Sequence, residues 1–225
     1  MIEDIIKERK KKLKNLVDAG IYPYPSKAER TISVADALKN FDKISRSKKQ
    51  ISVAGRITSL RDQGNLIFLD IKDESGKIQG VLKKDNLETF KTLKLNLDAG
   101  DFISITGSLF KTKSGEKSVE VKKAAIIAKT LLPLPTQWYG LKDVEERFRK
   151  RYLDIILNPE IKEKFAKRSE IIKKLREKLS EEGFLEVETP MLQPIPGGAK
   201  AKPFATHHNA LDTDFYLRIS MGELW

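Results

Sequence analysis

Cysteine is absent from the 225 residues, which excludes disulfides, thiolate zinc sites, iron–sulfur clusters and a cysteine nucleophile together. Histidine is nearly as scarce. Only two occur, adjacent at His207 and His208, so a multi-histidine metal site is excluded; the pair reads as polar loop residues with no catalytic role. No apolar run approaches the ~18 residues that span a bilayer, and Met1-Ile2-Glu3-Asp4 lacks the basic-then-apolar order of a signal peptide. These absences lead to the expectation of a cytoplasmic protein with no membrane partner, and the lack of cysteine fits a reducing compartment. Acidic residues are also under-represented: 32 Asp and Glu stand against 43 Lys and Arg, a net charge of +11. Such an excess points to a polyanionic partner, nucleic acid or an acidic membrane surface. With 40% apolar residues the charge does not imply disorder. The length is about one and a half times the ~150-residue domain prior, which suggests two modules.

What is present falls into recognisable segments. Residues 1–49 form a helical segment. Ile2, Ile5, Ile6, Leu13 and Leu16 recur near helical spacing up to Ala19, and Gly20 sits where a left-handed residue would end the helix. Lys7, Arg9, Lys10, Lys11, Lys12 and Lys14 cluster along it, as either a solvated face or a phosphate-contacting one. After the stiff connector Ile21-Tyr22-Pro23-Tyr24-Pro25, a short helix from Val34 to Asn40, capped by Ser33, leads into a polar stretch. Residues 50–130 then read as three strands (51–58, 66–71 and 77–82), a helix over 85–97 and two further strands joined by a turn at Ser114-Gly115. That order is the signature of a five-stranded OB barrel, with a small SH3-like barrel as its rival. Phe68 and Gln79 are candidates for a strand face on which nucleic-acid bases stack and hydrogen-bond, although a lone strand Phe more often belongs to the core.

Residues 131–145 form a linker stiffened by Pro133 and Pro135. A helix over 144–157 follows, and then a longer one with Asn158 as its cap, Pro159 in its first turn and Gly183 at its end. Phe184 to Pro190 reads as a strand closed by its proline. The fold class expected is α+β: a helix and an OB barrel, then the opening of a second domain over 146–225.

The second half carries a family resemblance. Glu182 to Leu192 resembles motif 1 of the class II aminoacyl-tRNA synthetases. Pro196-Gly197-Gly198-Ala199-Lys200-Ala201-Lys202-Pro203-Phe204 and Thr206-His207-His208-Asn209-Ala210-Leu211-Asp212 closely resemble the lysyl members of that class. Arg147 to Asp154 and Phe110 to Glu116 match the same family, so the resemblance covers essentially the whole chain. The aspartyl and asparaginyl enzymes share the barrel and motif 1 but carry a different Gly-Gly loop. A stand-alone OB-fold nucleic-acid-binding protein with a degenerate synthetase tail is the alternative from another class.

The resemblance implies ATP-dependent activation of lysine to lysyl-adenylate and its transfer to tRNA(Lys) by a homodimer, with ATP and Mg2+ serving the full-length enzyme. It implies that Phe68 stacks on an anticodon base, that Gln79 reads the central uracil, and that Glu116, Arg56 and Arg61 belong to the same anticodon-reading face. Gly198 and Glu223 are implied in binding lysine, and Pro190 in the motif 1 dimer interface. The segment Arg218-Ile219-Ser220-Met221-Gly222-Glu223-Leu224 holds one residue more than the usual Arg-Ile-Ala-Pro-Glu-Leu. The ATP-binding arginines of motifs 2 and 3 are not found, so these 225 residues alone are expected to bind tRNA without aminoacylating it.

Overall fold

The computed structural model describes residues 2–135, 141 and 143–220. The chain divides into two compact units, Met1–Gly140 and Leu141–Trp225.

The first unit opens with α1 (Ile2–Asp18). Gly20 adopts φ +74°, and the Gly20 and Ile21 amides donate to the Val17 and Leu16 carbonyls. This is a Schellman closure, which needs a left-handed residue at Gly20. Helix α2 (Val34–Lys39) is capped by Ser33, whose hydroxyl accepts from the Asp36 amide. The stretch expected to be merely polar instead forms α3 (Phe41–Ser47). Its sequence carries one buried anchor, Phe41, too little for a periodic signal.

Five strands then close a barrel: β1 (Gln50–Asp62), β2 (Leu66–Lys72), β3 (Lys77–Lys83), β4 (Phe102–Lys111) and β5 (Lys117–Ala128), in the order β1-β2-β3-β5-β4. All pairs are antiparallel except β3 with β5. This is the OB arrangement that the element order predicted. Strict alternation drives it: Ile67, Leu69 and Ile71 point inward with Ile57, Ile103, Ile105, Val119 and Val121, all fully buried, while the intervening side chains face out. Helix α4 (Phe90–Asn96) seals the barrel with Phe90 and Leu93. At Gly107 the strands approach so closely that a Cβ would overlap the Glu120 carbonyl oxygen.

Charged groups also lie inside this unit. Lys129 Nζ sits 2.7 Å from Asp101 and 2.6 Å from Asp98, and the Lys129 and Asp101 side chains are 0% exposed. Asp98 is also bridged by Lys12 at 2.7 Å, and Asp101 accepts from the Thr130 and Asp98 amides. The cluster is therefore fully partnered, as a buried charge must be.

The second unit is built differently. The single helix expected over 144–157 is two, α5 (Val144–Arg149) and α6 (Arg151–Leu157), broken at Lys150. Asp154 is the reason for the local arrangement. Fully buried, it accepts from Arg147 (2.9 Å), Arg151 (2.5 Å) and Asn158 (2.7 Å). Burial pushes its carboxyl pKa up, but the bonds from Asn158 and the two arginines outweigh this and hold it below the usual range. Asn158 therefore does not cap α7 (Pro159–Glu181) with its side chain, contrary to expectation; its amide is spent on Asp154. Gly183, at φ +88°, closes α7 with a second Schellman pair, Gly183 to Ser180 and Phe184 to Leu179.

Phe184 to Pro190 is not a strand, since no described segment runs beside it to form a ladder. A small antiparallel sheet follows, β6 (Leu192–Gln193), β7 (Ala205–His208) and β8 (Thr213–Leu217), in the order β6-β8-β7. His207 and His208 thus lie on a strand, not in a loop. His207 Nδ1 is 2.9 Å from Asp214, and the His208 ring lies 5.9 Å from that of Phe215.

Candidate nucleic-acid interface

The outward side chains of β1, β2, β3 and β5 form one surface. The register sets Arg61 opposite Phe68, Phe68 opposite Val81, and Asp70 opposite Gln79. The parallel pairing of β3 with β5 then sets Gln79 beside Ser118. Phe68 faces out, half-buried, between inward Ile67 and Leu69, so it is not a core residue. The Arg61 guanidinium lies 6.0 Å from its ring centroid, at the outer limit of a cation–π contact.

Gln79 is 8% exposed, and the Ser118 hydroxyl donates to its Oε1 at 2.9 Å. That bond fixes the amide and leaves its nitrogen without a partner among the described residues. A half-buried aromatic beside an oriented amide can hold an unstacked base by its π-face and read its edge. Glu116 lies exposed in the β4–β5 turn; its carbonyl accepts from the Thr112 amide and its own amide donates to the Thr112 hydroxyl. It is two residues from Ser118, whose hydroxyl lies 3.3 Å from the Glu116 backbone carbonyl oxygen.

Arg56 also faces outward but lies opposite Lys72, four positions along β2 from Phe68. Its Nη1 donates to the Gly100 carbonyl at 3.1 Å, its guanidinium stacks 4.2 Å over Phe102, and burial lowers its pKa from the usual arginine value. The structure thus sets Arg61 beside Phe68 and Ser118 beside Gln79, and engages Arg56 with Gly100 and Phe102. Sequence reasoning passed over Ser118 and the Lys83–Glu120 ion pair (2.6 Å), which lie on the same surface. Alternation along Ser118-Val119-Glu120-Val121 places the two β5 residues outward, but their neighbours depend on a parallel pairing that no local signal encodes.

In the second unit Gly198 and Pro190 are the described residues among those implied for lysine and for the dimer. Gly198 lies in an exposed loop at φ +89°. Pro190 is exposed after Thr189, whose carbonyl and hydroxyl both accept from Arg218. Glu223 lies outside the described residues, as do residues 136–140 and 142 of the linker. Among the described residues no cluster of three His, Asp or Glu side chains is placed to hold a metal ion.

Comparison with known proteins bears on both units. Residues 51–127 match the family model of the OB-fold nucleic acid binding domain, and residues 143–225 match that of the class II tRNA synthetases for D, K and N. The lysine–tRNA ligase of Clostridium perfringens is 51% identical over 215 residues, covering 94% of this chain and 42% of that protein. The chain is homologous to the lysine–tRNA ligases. Those of Carboxydothermus hydrogenoformans and Roseiflexus castenholzii are 48% and 46% identical, covering 97% and 98% of the chain but only 45% and 46% of their own lengths. The chain thus spans less than half the length of these relatives. No helix among the described residues is long and apolar enough to cross a membrane.

Proposed function

We propose that the barrel binds the anticodon loop of tRNA(Lys). In this reading Phe68 stacks on an anticodon base, Gln79 reads the central uracil, and Glu116 and Arg61 complete the reading surface. Arg56 belongs to the same outer face, nearer the Gly100 end. The observation that carries the proposal is the Ser118–Gln79 bond beside an outward Phe68, on a barrel whose relatives are lysine–tRNA ligases. Base stacking on an aromatic contributes about 1–3 kcal/mol, so a few such contacts suffice to discriminate anticodons.

The wider activity is that of the family. The lysine carboxylate attacks the α-phosphate of ATP and releases pyrophosphate, and a terminal tRNA hydroxyl then attacks the resulting mixed anhydride to form the ester and release AMP. Gly198 would line the lysine pocket and Glu223 would neutralise an ammonium of the substrate, which cannot be buried unpaired. The apolar stripe of α7, with Pro190 in the segment that follows the helix, would form the homodimer interface. A cytoplasmic location goes with this reading. Adenylate formation, which needs the arginines of motifs 2 and 3, is assigned to the full-length enzymes of the family, and RNA binding to these residues.

The test is titration of the chain, at fixed salt, against a hairpin carrying the anticodon UUU and against one with the central uracil replaced. A several-fold preference for UUU is expected, lost in Phe68→Ala. Equal binding to both hairpins would overturn the proposal.

A further inference from the structure

Helix α1 has two faces with opposite chemistry. The inner face is clamped to the barrel: Leu16 is fully buried, Asn15 donates to Asn96 at 3.2 Å, and Lys12 pairs with Asp98. Arg9, which the sequence groups with the other basic residues, is only 8% exposed. Its guanidinium donates to the carbonyls of Ala99 (3.1 Å), Thr130 (3.2 Å) and Leu132 (3.3 Å). Arg9 and Arg56 therefore grip successive carbonyls, Ala99 and Gly100, and tie the helix to the loop that also holds an outer-face arginine of the barrel.

The outer face is a stripe of lysines. Lys7, Lys10, Lys11 and Lys14 stand at i, i+3, i+4 and i+7, so they share one side of the helix over a length of about 10 Å. All four are exposed. No carboxylate of the described residues lies within 4.0 Å of any of them, whereas Lys12, Lys83, Lys94, Lys123 and Lys129 of the same unit each have one within 3.0 Å. The unpaired ammonium groups thus project from a helix whose position is fixed by buried bonds on its other side. Fixed cations without internal partners suit a repeating, singly charged polyanion, where each contact releases a counterion.

We propose that Lys7, Lys10, Lys11 and Lys14 form a phosphate-binding stripe for the RNA whose loop the barrel reads. This rests on the anticodon-binding reading but gives the stripe a distinct role. It supplies affinity without sequence preference, divided from the specificity of Phe68 and Gln79.

The test compares the 225-residue chain with its Lys7→Gln, Lys10→Gln, Lys11→Gln and Lys14→Gln quadruple variant. Both are titrated across a salt series against the UUU hairpin and its central-uracil variant. A control lowers the charge equally through Lys167→Gln, Lys173→Gln, Lys174→Gln and Lys178→Gln on α7. The stripe variant should bind both hairpins at least about tenfold more weakly at low salt, with the slope of log K against log salt shallower by about 2–3 and the preference for UUU intact. The α7 control should keep the original slope. An unchanged slope in the stripe variant would overturn the proposal, even if the stripe were then found to bind anionic vesicles. An equal change in the control would also overturn it, because net charge would then be the cause. Loss of the UUU preference in the unmodified chain would instead retire the anticodon reading, and the slopes would still report on the stripe.

Discussion

The two units meet the same requirement, hiding apolar surface, with opposite success. In the barrel, every second residue of β2 is buried together with Val119, Val121 and Ile126 of β5, and even its interior charges are matched. In the second unit the described buried residues are Asp154 and Ile161. Phe165, Ile171, Ile172, Leu175 and Leu179 remain exposed along α7, and Leu185 is 84% exposed in the unpaired segment after it. Exposed apolar stripes of this kind mark surfaces built to be covered. The first unit thus carries its stability within itself, while the second presents a surface whose burial requires further contacts.

This contrast is challenged most severely at the buried charges. Asp101→Asn should destabilise the barrel unit by about 3–5 kcal/mol, because Lys129 would lose a partner while remaining enclosed; urea denaturation followed by circular dichroism would show it. Leu69→Ala, a cavity in the core, should cost about 2–5 kcal/mol in the same measurement.

Acid should produce a smaller loss in the same unit. Burial pushes the Asp73 and Asp98 carboxyls up, but amide and hydroxyl donors at Asp73 and the lysines at Asp98 pull both below their usual values. Carboxyls depressed in the folded state stabilise it above the unfolded value of about 3.9, and that contribution disappears as pH falls through the lower folded value. Melting temperature should therefore fall steadily below about pH 4, and less steeply in Asp73→Asn. At the other extreme, Leu175→Gln on α7 should change the stability of the barrel unit by no more than about 0.5 kcal/mol. A large effect there would mean that the stripe is already buried and would end the contrast.

Legibility in the sequence followed the same division. The barrel was readable because alternation and turn residues act locally: Ile67, Leu69 and Ile71 announce an inner face, and Ser114-Gly115 a hairpin. Gly20 and Gly183 likewise marked helix ends that the structure closes as expected. Features set by distant partners were not readable. Arg9 reads as one more surface charge until the Ala99, Thr130 and Leu132 carbonyls surround it, and Asn158 reads as a cap until Asp154 claims its amide. Phe184 to Pro190 has strand composition, but composition supplies no neighbour. At the candidate interface, Phe68 and Gln79 could be chosen from the sequence, whereas Ser118, which orients Gln79, depends on the parallel β3–β5 register.

The proposed function turns on Gln79, held by Ser118 beside Phe68, as the sensor of the central anticodon base. A double-mutant cycle decides this, measuring how much replacing the central uracil weakens hairpin binding in the unmodified chain and in Gln79→Ala. The penalty seen with the unmodified chain should vanish in the variant, because the group that senses the base is gone. A penalty of the same size in both would contradict the assignment, since discrimination would then arise from residues other than Gln79.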